Sequence, residues 1–440
     1  MERTLFCIVS FEGTDAYSQV GGLGVRVSGL ARTLADLGHE THLFFIGDPS
    51  LPGEEPSVTP RLTLHRWSQW ISANCNGGVY DAEEDKANDF TRSLPQYLFD
   101  RVLRPAIDAG QLPVVLLEEW QTAECACALS ELLAVHGVRD RVVIFWTANN
   151  SYGFHRVDWL RLATCTTITT ISRYMRSIIR SQGVDAQVIP NGIPNELLTP
   201  VPRASISPLA RRAPTDFSVD LFFKMARWER EKGWAQALAA VRGLRDRGRR
   251  PLLVARGGGV SAGCDGLSEA AGAAGLRVVQ VHDEPELVRH LNQAVRAGTE
   301  VIDLRFTVKT PLARKLFAAS TAVLANSIAE PFGLVGLEAM AAGGVIFTGD
   351  TGEDYAVDGR NAVVLQTLDA DEITARWEAL KAAPARVARM RRAARHTARQ
   401  YSWQRIIAVL LERVATQAAR QGLSRRPERV SRESDEAFGT

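Results

Sequence analysis

A segment that begins at residue 330 combines two carboxylates, a proline and a glycine in a spacing that suits a phosphate-bearing ligand. Glu330 and Glu338 have seven residues between them, and Gly333 follows the first. The pattern predicts a strand end, a turn and a helix, and helix N-termini at that position of a parallel sheet bind phosphates. Glu338 can accept hydrogen bonds from both hydroxyls of a ribose, and Glu330 can face an attached sugar. The alternative, a capped surface helix with two solvated acids, leaves the coincidence of special residues unexplained.

A basic pair lies upstream of this segment. Arg227 is expected at the end of a strand, and Lys232 just before a helix. An arginine fork and a lysine charge that reach one crevice can stabilise a leaving diphosphate without a metal ion. Taken alone, the pair fits a solvated charge run equally well, because Glu229, Arg230 and Glu231 lie between its members. Its position before the glutamate segment favours a binding role.

The elements that position these residues alternate between strand and helix in both halves of the chain. Continuous apolar runs predict strands at 5–9, 42–46, 114–117, 142–146 and 166–171, and at 221–226, 252–255, 301–306, 322–325 and 345–348. Helical periodicity predicts helices at 25–37, 234–245, 312–319 and 334–342. The pattern is typical of α/β proteins, and we expect two Rossmann-like doubly wound domains.

The best candidate for a linker is the proline-rich stretch 201–214, because it has no strong periodicity. We therefore expect one domain over 1–200 and a second over 215–397. A further helix is expected at 398–420, packing back toward the first domain. Residues 421–440 are polar, and we expect them to be disordered.

Composition excludes several classes of partner. The chain has 52 basic and 50 acidic residues, with a formal net charge of +2, so no strong field points to nucleic acid. Six scattered cysteines in no C-x-x-C spacing indicate reduced thiols and no zinc site. No apolar run approaches the ~20 residues of a membrane span, and we expect a cytoplasmic protein. The arginines after 386 could touch an anionic membrane, although a solvated helix face is favoured.

These motifs resemble the family 4 glycosyltransferases and their glycogen and starch synthase relatives, and the resemblance covers most of the chain. Two motifs carry it in the second half, the Arg-x4-Lys-Gly turn and the Glu-x7-Glu segment. The first half adds the Gly-Gly-Leu-Gly loop at 21–24 and a Glu-Glu-Trp-Gln-Thr-Ala segment at 118–123, similar to His-Asp-Trp-x-Thr-Ala. Pro-Asn-Gly at 190–192 and Tyr-Ser-Trp at 401–403 also match.

The resemblance implies a GT-B fold, in which two Rossmann-like domains face a central cleft. The first domain would present a carbohydrate or small-molecule acceptor, and the second would hold a nucleotide diphosphate sugar. The implied reaction is a retaining hexosyl transfer by front-face attack, assisted by the leaving phosphate, with no metal and no cofactor.

The resemblance also assigns roles to individual residues. Those expected to act in catalysis are Arg227, Lys232, Glu330 and Asn149. Those expected to bind the donor are Gly21, Gly22, Leu23, Phe332, Gly333, Leu334, Val335 and Glu338. Candidate contacts of the acceptor or sugar are His155, Glu119 and Trp120.

Three residues depart from the family pattern. Gln19 stands where the synthases have a phosphate-contacting lysine, and Glu118 replaces their histidine. Asn149 replaces the histidine that bonds the transferred sugar, and it can donate and accept hydrogen bonds but cannot hold a proton at neutral pH. His155 either supplies a ring in the same cleft or, as we favour, has a structural role beside Trp159.

Aromatic residues between 67 and 80 leave a further alternative open. Trp67, Trp70 and Tyr80 could stack on an acceptor ring, but core packing is favoured for them.

Three rival functions stay open. Another GT-B chemistry, a phosphorylase or a nucleotide-sugar epimerase, would depend on phosphate or isomerise the free nucleotide sugar. A degenerate transferase would bind or assemble without catalysis. A dinucleotide oxidoreductase is disfavoured because the glycine loop lacks G-x-G-x-x-G spacing.

Overall fold

The structure is a computed structural model that describes residues 4–75, 77–210, 219–257 and 266–423. Two compact units share the chain: unit 1 contains the residues up to Gly192 and those from Trp403 onward, and unit 2 comprises Ile193–Ser402. Both units are built from parallel strands and helices.

The strands of unit 1 form one sheet and those of unit 2 another. In unit 1 they are β1 (Thr4–Val9), β2 (Glu40–Ile46), β3 (Glu54–Pro56), β4 (Leu62–Trp67), β5 (Leu112–Glu118), β6 (Val143–Ala148), β7 (Thr167–Thr170) and β8 (Gln187–Val188). In unit 2 they are β9 (Asp220–Met225), β10 (Pro251–Arg256), β11 (Val278–Val281), β12 (Val301–Leu304), β13 (Ala322–Ala325), β14 (Ile346–Thr348) and β15 (Val363–Val364).

Helices connect most of these strands. Those of unit 1 before the crossing to unit 2 are α1 (Gly22–Asp36), α2 (Gln69–Ser72), α3 (Glu83–Leu98), α4 (Arg104–Asp108), α5 (Ala123–Val135), α6 (Trp159–Cys165) and α7 (Arg173–Arg180). Unit 2 contains α8 (Arg203–Ala210), α9 (Trp234–Asp246), α10 (Gly266–Ala273), α11 (Leu287–Ala297), α12 (Thr310–Ala319), α13 (Leu334–Ala342), α14 (Ala370–Lys381) and α15 (Pro384–Gln400). Helix α16 (Trp403–Arg420) belongs to unit 1.

The sheet of unit 1 has the order β3-β4-β2-β1-β5-β6-β7-β8, with β3 antiparallel to β4 and the remaining pairs parallel. Its central strands are apolar runs buried on both faces, as parallel sheets require. The strand order reverses between β1 and β5. Ligands of open α/β sheets bind at such a switch point, beyond the carboxyl ends of the strands.

The sheet of unit 2 has the order β11-β12-β10-β9-β13-β14-β15, and its strand pairs are parallel. The core of this unit packs helices α9 and α14 against the sheet, with the rings of Trp234 and Trp377 buried among aliphatic side chains. The strand order reverses between β9 and β13. The carboxyl ends of these two strands carry Arg227 and Glu330, the residues in which the sequence predicted chemistry.

Helix α16 completes unit 1 although it follows unit 2 in the chain. It packs against α1 and β6. The ring of Trp403 fits where two glycines leave room, since a Cβ on Gly29 or Gly192 would lie 2.3 or 2.4 Å from its atoms. Larger residues at either position would displace the ring.

Local structure corrects the sequence-based expectation for the linker. The stretch expected as a linker, 201–214, contains helix α8, while residues 211–214 lie outside the described residues. Trp67, one of the three aromatic residues considered for stacking on an acceptor, ends strand β4. The tail expected to be disordered lies outside the described residues after 423. Within the described ranges, no helix is both long and apolar enough to cross a membrane.

Candidate functional site

A buried lysine organises the switch point of unit 2. Lys224, in β9, is 1% exposed, and its Nζ donates to Leu324 O at 3.2 Å and Asn326 Oδ1 at 2.7 Å. Asn326 Nδ2 donates in turn to Gly233 O at 2.9 Å. Burial, and secondarily the charge of Lys232, lower the pKa of Lys224 to about 7. These bonds fix the turn before α9 against the ends of both strands.

The two predicted residues Lys232 and Glu330 form an ion pair at this edge. Lys232 Nζ lies 2.8 Å from Glu330 Oε2, and the side chains are 15% and 21% exposed. Ser327 Oγ donates to the same carboxylate oxygen at 2.9 Å, and the Glu330 N–H donates to Thr351 Oγ1 at 3.0 Å. The carboxylate is therefore held from two sides and is still reachable from solvent.

Arg227 does not join this pair. Its side chain is 78% exposed, and Nη1 lies 3.1 Å from Glu229 Oε1. Its backbone is held, because Trp234 Nε1 donates to the Arg227 carbonyl at 2.8 Å. An exposed guanidinium on a fixed backbone can reorient toward an anionic ligand at little cost, since a surface ion pair contributes ~0–1 kcal/mol.

Helix α13 begins at the predicted glycine. Gly333 has φ of 78°, and a Cβ there would lie 2.8 Å from Tyr355 Oη, so this position needs glycine. Tyr355 Oη donates to the Gly333 carbonyl at 2.5 Å. Leu334 and Val335 form the first turn of the helix, where backbone N–H groups are free of intrahelical partners.

The ring of Phe332 belongs to the core of unit 2. It is 2% exposed and packs on Tyr355 and Tyr401, at centroid distances of 5.8 and 6.1 Å. Among the predicted donor-binding residues, it can therefore contribute only through its backbone.

Two carboxyls near this helix have raised pKa values. Glu338 is partly exposed, yet its surroundings are dense enough that desolvation raises its pKa to about 7. Glu353, which the sequence analysis missed, is 5% exposed and accepts from Thr348 Oγ1 at 3.0 Å and the Thr351 N–H at 3.2 Å. Burial, and then the charge of Glu330, raise the pKa of Glu353 to about 7. Glu353 positions Thr351, which bonds Glu330.

In unit 1, an internal carboxylate occupies part of the predicted glycine loop. Glu12 Oε2 accepts from the N–H groups of Val20, Gly21 and Gly24 at 3.2, 2.8 and 2.9 Å. A negative charge at the start of α1 also suits the helix dipole. Of the residues expected to bind the donor, Gly22 and Leu23 have no such carboxylate partner within the described residues.

The three departures from the family pattern have different surroundings. Gln19 is exposed. Glu118 is buried and pairs with Arg26, whose Nε lies 3.1 Å from Oε2. Asn149 Nδ2 donates to the same Glu118 oxygen at 2.7 Å, and Arg26 Nη1 donates to Asn191 Oδ1 at 2.5 Å. Asn149 Oδ1 is buried with no hydrogen-bond partner among the described residues, so it can still accept from a ligand.

Glu119 and Trp120 lie side by side at the end of β5. Glu119 is 3% exposed and has φ of 69°, an uncommon conformation for a residue with a Cβ. Its Oε1 accepts from the Asn149 N–H at 2.9 Å. Burial, followed by the charge of Glu118, raises the pKa of Glu119 to about 8, so it holds a proton at neutral pH.

The remaining candidates are less well placed than expected. His155 is exposed in a single 3-10 turn, four residues before buried Trp159, and its role stays a prediction. Trp70 is 68% exposed, which contradicts core packing. Trp67 donates from Nε1 to Ser93 Oγ at 2.8 Å. Tyr80 is 37% exposed.

Sequence patterns contained a signal for one missed residue. Arg26 lies four positions before Leu30 and eight before Leu34, on the apolar stripe of α1, and a charge on a buried stripe predicts a buried partner. Glu12 and Glu353 gave no comparable signal, because their partners are backbone N–H groups and hydroxyls that only the fold brings near. In the part of the chain that the structure describes, no group of three His, Cys, Asp or Glu side chains has a metal-binding arrangement.

Family profiles match both units. The profile of Glycosyltransferase Family 4 matches residues 20–197, and that of Glycosyl transferases group 1 matches residues 214–397. No curated protein sequence matches the chain.

Solved structures share the fold over nearly the whole chain. A sucrose-phosphate synthase from Thermosynechococcus elongatus is 16% identical, with a TM-score of 0.66, covering 94% of this chain and 99% of its own. The catalytic domain of starch synthase IV from Arabidopsis thaliana, bound to ADP and acarbose, is 15% identical, with a TM-score of 0.64, covering 95% of this chain and 99% of that domain. Anabaena HepE in complex with UDP and glucose is 13% identical, with a TM-score of 0.59 and coverage of 94% and 100%.

The profiles confirm the family and the enzyme class predicted from the motifs, and the solved structures confirm the GT-B fold. The two profiles, which together match most of the chain, identify it as a glycosyltransferase with a Family 4 domain followed by a group 1 domain, and the solved structures show that it has the GT-B fold.

Proposed function

We propose that the protein transfers a hexose from a nucleotide diphosphate sugar to a hydroxyl acceptor, with retention of the anomeric configuration and without a metal ion or cofactor. The observation that carries the proposal is the ion pair of Lys232 and Glu330, held at the switch point of unit 2 beyond the end of β9. Exposed Arg227 lies on the same segment between β9 and α9.

Different residues at the carboxyl edge of the sheet in unit 2 would bind the charged and the polar parts of the donor. Arg227 and Lys232 would stabilise the diphosphate as negative charge develops on it, and the first turn of α13 would add N–H donors. Glu330 would accept from sugar hydroxyls, and Glu338 from the ribose. HepE is solved with UDP and glucose, and the catalytic domain of starch synthase IV with ADP. A uridine diphosphate sugar or an adenosine diphosphate sugar is therefore the first donor to test.

The proposed chemistry needs no base from the chain. The bond between the anomeric carbon and the leaving phosphate oxygen breaks, that oxygen takes the acceptor's proton, and the acceptor oxygen bonds to the same face of the sugar. Asn149 cannot hold a proton at neutral pH, but its unpaired Oδ1 can accept from a sugar hydroxyl. A proton-free role at this position is compatible with leaving-group-assisted attack.

A thermal-shift panel of UDP, GDP, ADP and their sugars tests donor binding. A ligand at 100 times its Kd stabilises the folded protein by ~2.7 kcal/mol, so a true donor should raise the midpoint clearly. Arg227→Ala should reduce the shift, whereas Arg242→Ala, which removes another exposed arginine paired with an acid, should preserve it. If none of the six ligands shifts the midpoint, donor binding is refuted.

Product analysis separates transfer from the rival chemistries. We expect a nucleoside diphosphate and an α-linked product from an α-linked donor, at a rate unchanged by a chelator. Inversion would refute the retaining mechanism, and loss of rate with a chelator would refute metal independence. A requirement for inorganic phosphate, or isomerisation of the donor without an acceptor, would assign a phosphorylase or an epimerase instead.

A further inference from the structure

Tyr80 lies among acidic residues of unit 1, one of which it contacts directly. Tyr80 Oη donates to Glu12 Oε1 at 2.6 Å. Burial raises the pKa of this hydroxyl, and the charges of Glu12, Glu119 and Glu83 raise it further, so all three carboxyls lie within electrostatic reach of one ring. We refer to Tyr80, Glu12, Glu83 and Glu119 as the acidic edge.

A buried amide oxygen lies at the acidic edge without a partner. Gln121 is 4% exposed, and its Nε2 donates to Glu83 Oε1 at 2.7 Å. The carbonyl Oε1 of the same amide has no hydrogen-bond partner among the described residues. Both atoms are bonded to one carbon, so this oxygen lies beside the Glu83 carboxylate. Buried acceptors are normally paired, and the missing partner here is a hydrogen-bond donor.

The basic side chains of this region are already engaged. Lys86 is fully buried, and its Nζ donates to two backbone carbonyls at 3.1 Å. Arg26 is bound to Glu118, and Arg156 Nη1 lies 2.6 Å from Glu84 Oε1. Among the described residues Arg156 pairs with Glu84 and not with Glu12 or Glu83, so the charges of these two carboxylates have no cation partner.

Aromatic surface borders the same carboxylates. Tyr152 is 63% exposed, its Oη lies 3.4 Å from Glu83 Oε2, and its ring meets Trp120 edge-on at a centroid distance of 6.4 Å. Tyr80 is 37% exposed. Flat amphipathic rings beside hydrogen-bond acceptors suit the faces of a polyhydroxylated ring.

We propose that the acidic edge binds the acceptor, and that it selects a polyhydroxylated molecule that is uncharged or carries an amine while rejecting a phosphorylated one. Hydroxyl or ammonium groups of such an acceptor supply the donor that Gln121 Oε1 lacks, and an ammonium group also brings a positive charge beside Glu83. A phosphate would bring negative charge beside the carboxylates of Glu12 and Glu83, and its oxygens have no hydrogen to donate to them. Glu119, which holds a proton at neutral pH, adds no charge to this repulsion. The inference rests on the proposed function only in naming the ligand an acceptor.

Binding of three matched sugars to the whole protein tests the selection without requiring transfer. Glucose, glucosamine and glucose 6-phosphate share one ring and differ in charge. We expect NMR titrations at pH 6.5 and low salt to give the tightest binding for glucosamine, then glucose, with glucose 6-phosphate weaker than glucose by about tenfold or more.

Variants assign the selection to the acidic edge. Glu83→Gln should narrow the ratio of glucosamine to glucose 6-phosphate affinity by about threefold or more. Asp85→Asn removes an equal charge from the same first turn of α3 and should leave the ratio unchanged. The thermal shift given by the nucleotide sugar should be the same in both variants, which shows that each is folded.

Two outcomes overturn the inference. The first is that glucose 6-phosphate binds as tightly as glucose, and the second is that none of the three sugars binds. An equal effect of Glu83→Gln and Asp85→Asn would contradict the assignment to Glu83. The proposed function fails by a different result, the absence of a shift with every nucleotide sugar, so the two failures are distinguishable.

Discussion

The carboxyl edges of the two sheets use their charges in opposite ways. In unit 1, Arg26 and Glu118 are 5% and 1% exposed and neutralise each other inside the protein. In unit 2, Lys232 and Glu330 pair at 15% and 21% exposure, and Arg227 lies almost fully in solvent. A buried pair fixes a structure, whereas a partly exposed pair can exchange partners with a ligand. The difference separates an edge that positions its own residues from one prepared for an anionic ligand.

The largest expected effect is on the buried pair of unit 1. Arg26→Met leaves the Glu118 carboxylate buried without its cation, and we expect the free energy of unfolding to fall by ~3–5 kcal/mol. Arg161→Met removes an exposed arginine from two surface ion pairs and should cost less than ~1 kcal/mol. Urea denaturation of both variants measures the difference. Equal unfolding free energies for the two variants would show that the buried ion pair contributes no more to stability than exposed ones do.

The next largest effect is expected on the rate of hexose transfer, through the ion pair of unit 2. Lys232→Met removes the cation proposed to stabilise the leaving diphosphate, and we expect kcat/KM to fall by ~10²–10³ while the unfolding free energy changes by ~1 kcal/mol or less. Arg242→Met is the control, an exposed cation of the same unit. Steady-state assays with the donor found in the thermal-shift panel make the comparison. A loss of stability that matches the loss of rate would make this pair structural as well.

A smaller effect is expected on how the unfolding free energy depends on pH, and it comes from Lys224, a buried lysine of unit 2. Its pKa is about 7 in the folded protein and about 10.5 when unfolded, so the unfolded chain binds more protons between these values. The unfolding free energy of the wild type relative to Lys224→Met should therefore rise with pH, by up to ~1.4 kcal/mol per unit from pH 7. Urea titrations of both proteins from pH 6.5 to 8.5 measure this difference. A flat difference would mean that Lys224 stays charged.

The smallest effect is on nucleotide-sugar binding. The pKa of Glu338 is about 7, so lowering the pH from 7.5 to 6 should protonate it and remove an acceptor for the ribose. We expect Kd to rise as the pH falls, by at most ~10-fold per unit. Glu338→Gln should bind more weakly and lose this pH dependence. Calorimetric titrations of the wild type and the variant measure Kd at each pH. If Kd depends on pH equally in both proteins, Glu338 is not the source of the dependence.

Sequence patterns predicted the elements well where periodicity is strong. Strand β13 and helix α13 have the bounds expected from their apolar runs, and the observed φ of Gly333 explains the glycine before the helix. Local residue types determine such features. The same reasoning placed Lys232 and Glu330 in one site, but not in mutual contact, because that distance depends on how β9 and β13 pair.

Side-chain partners of buried polar groups were the part that sequence could not supply. Glu12 accepts from N–H groups of the glycine loop, so part of the loop expected to bind the donor already has an internal carboxylate partner. Exposure was also misjudged for Trp70, since residue type alone does not decide burial.

Helix α16 has a consequence for synthesis on the ribosome. Unit 2 is continuous in the chain, whereas unit 1 needs Trp403 to fill the space left by Gly29 and Gly192. At ~5–20 residues per second, translation of residues 193–402 takes on the order of 10 to 40 seconds, during which unit 1 lacks its last helix. During that interval the nascent first unit therefore exposes the apolar surface that α16 covers in the folded protein. We expect the need for chaperone binding to increase with the time before this helix is synthesised.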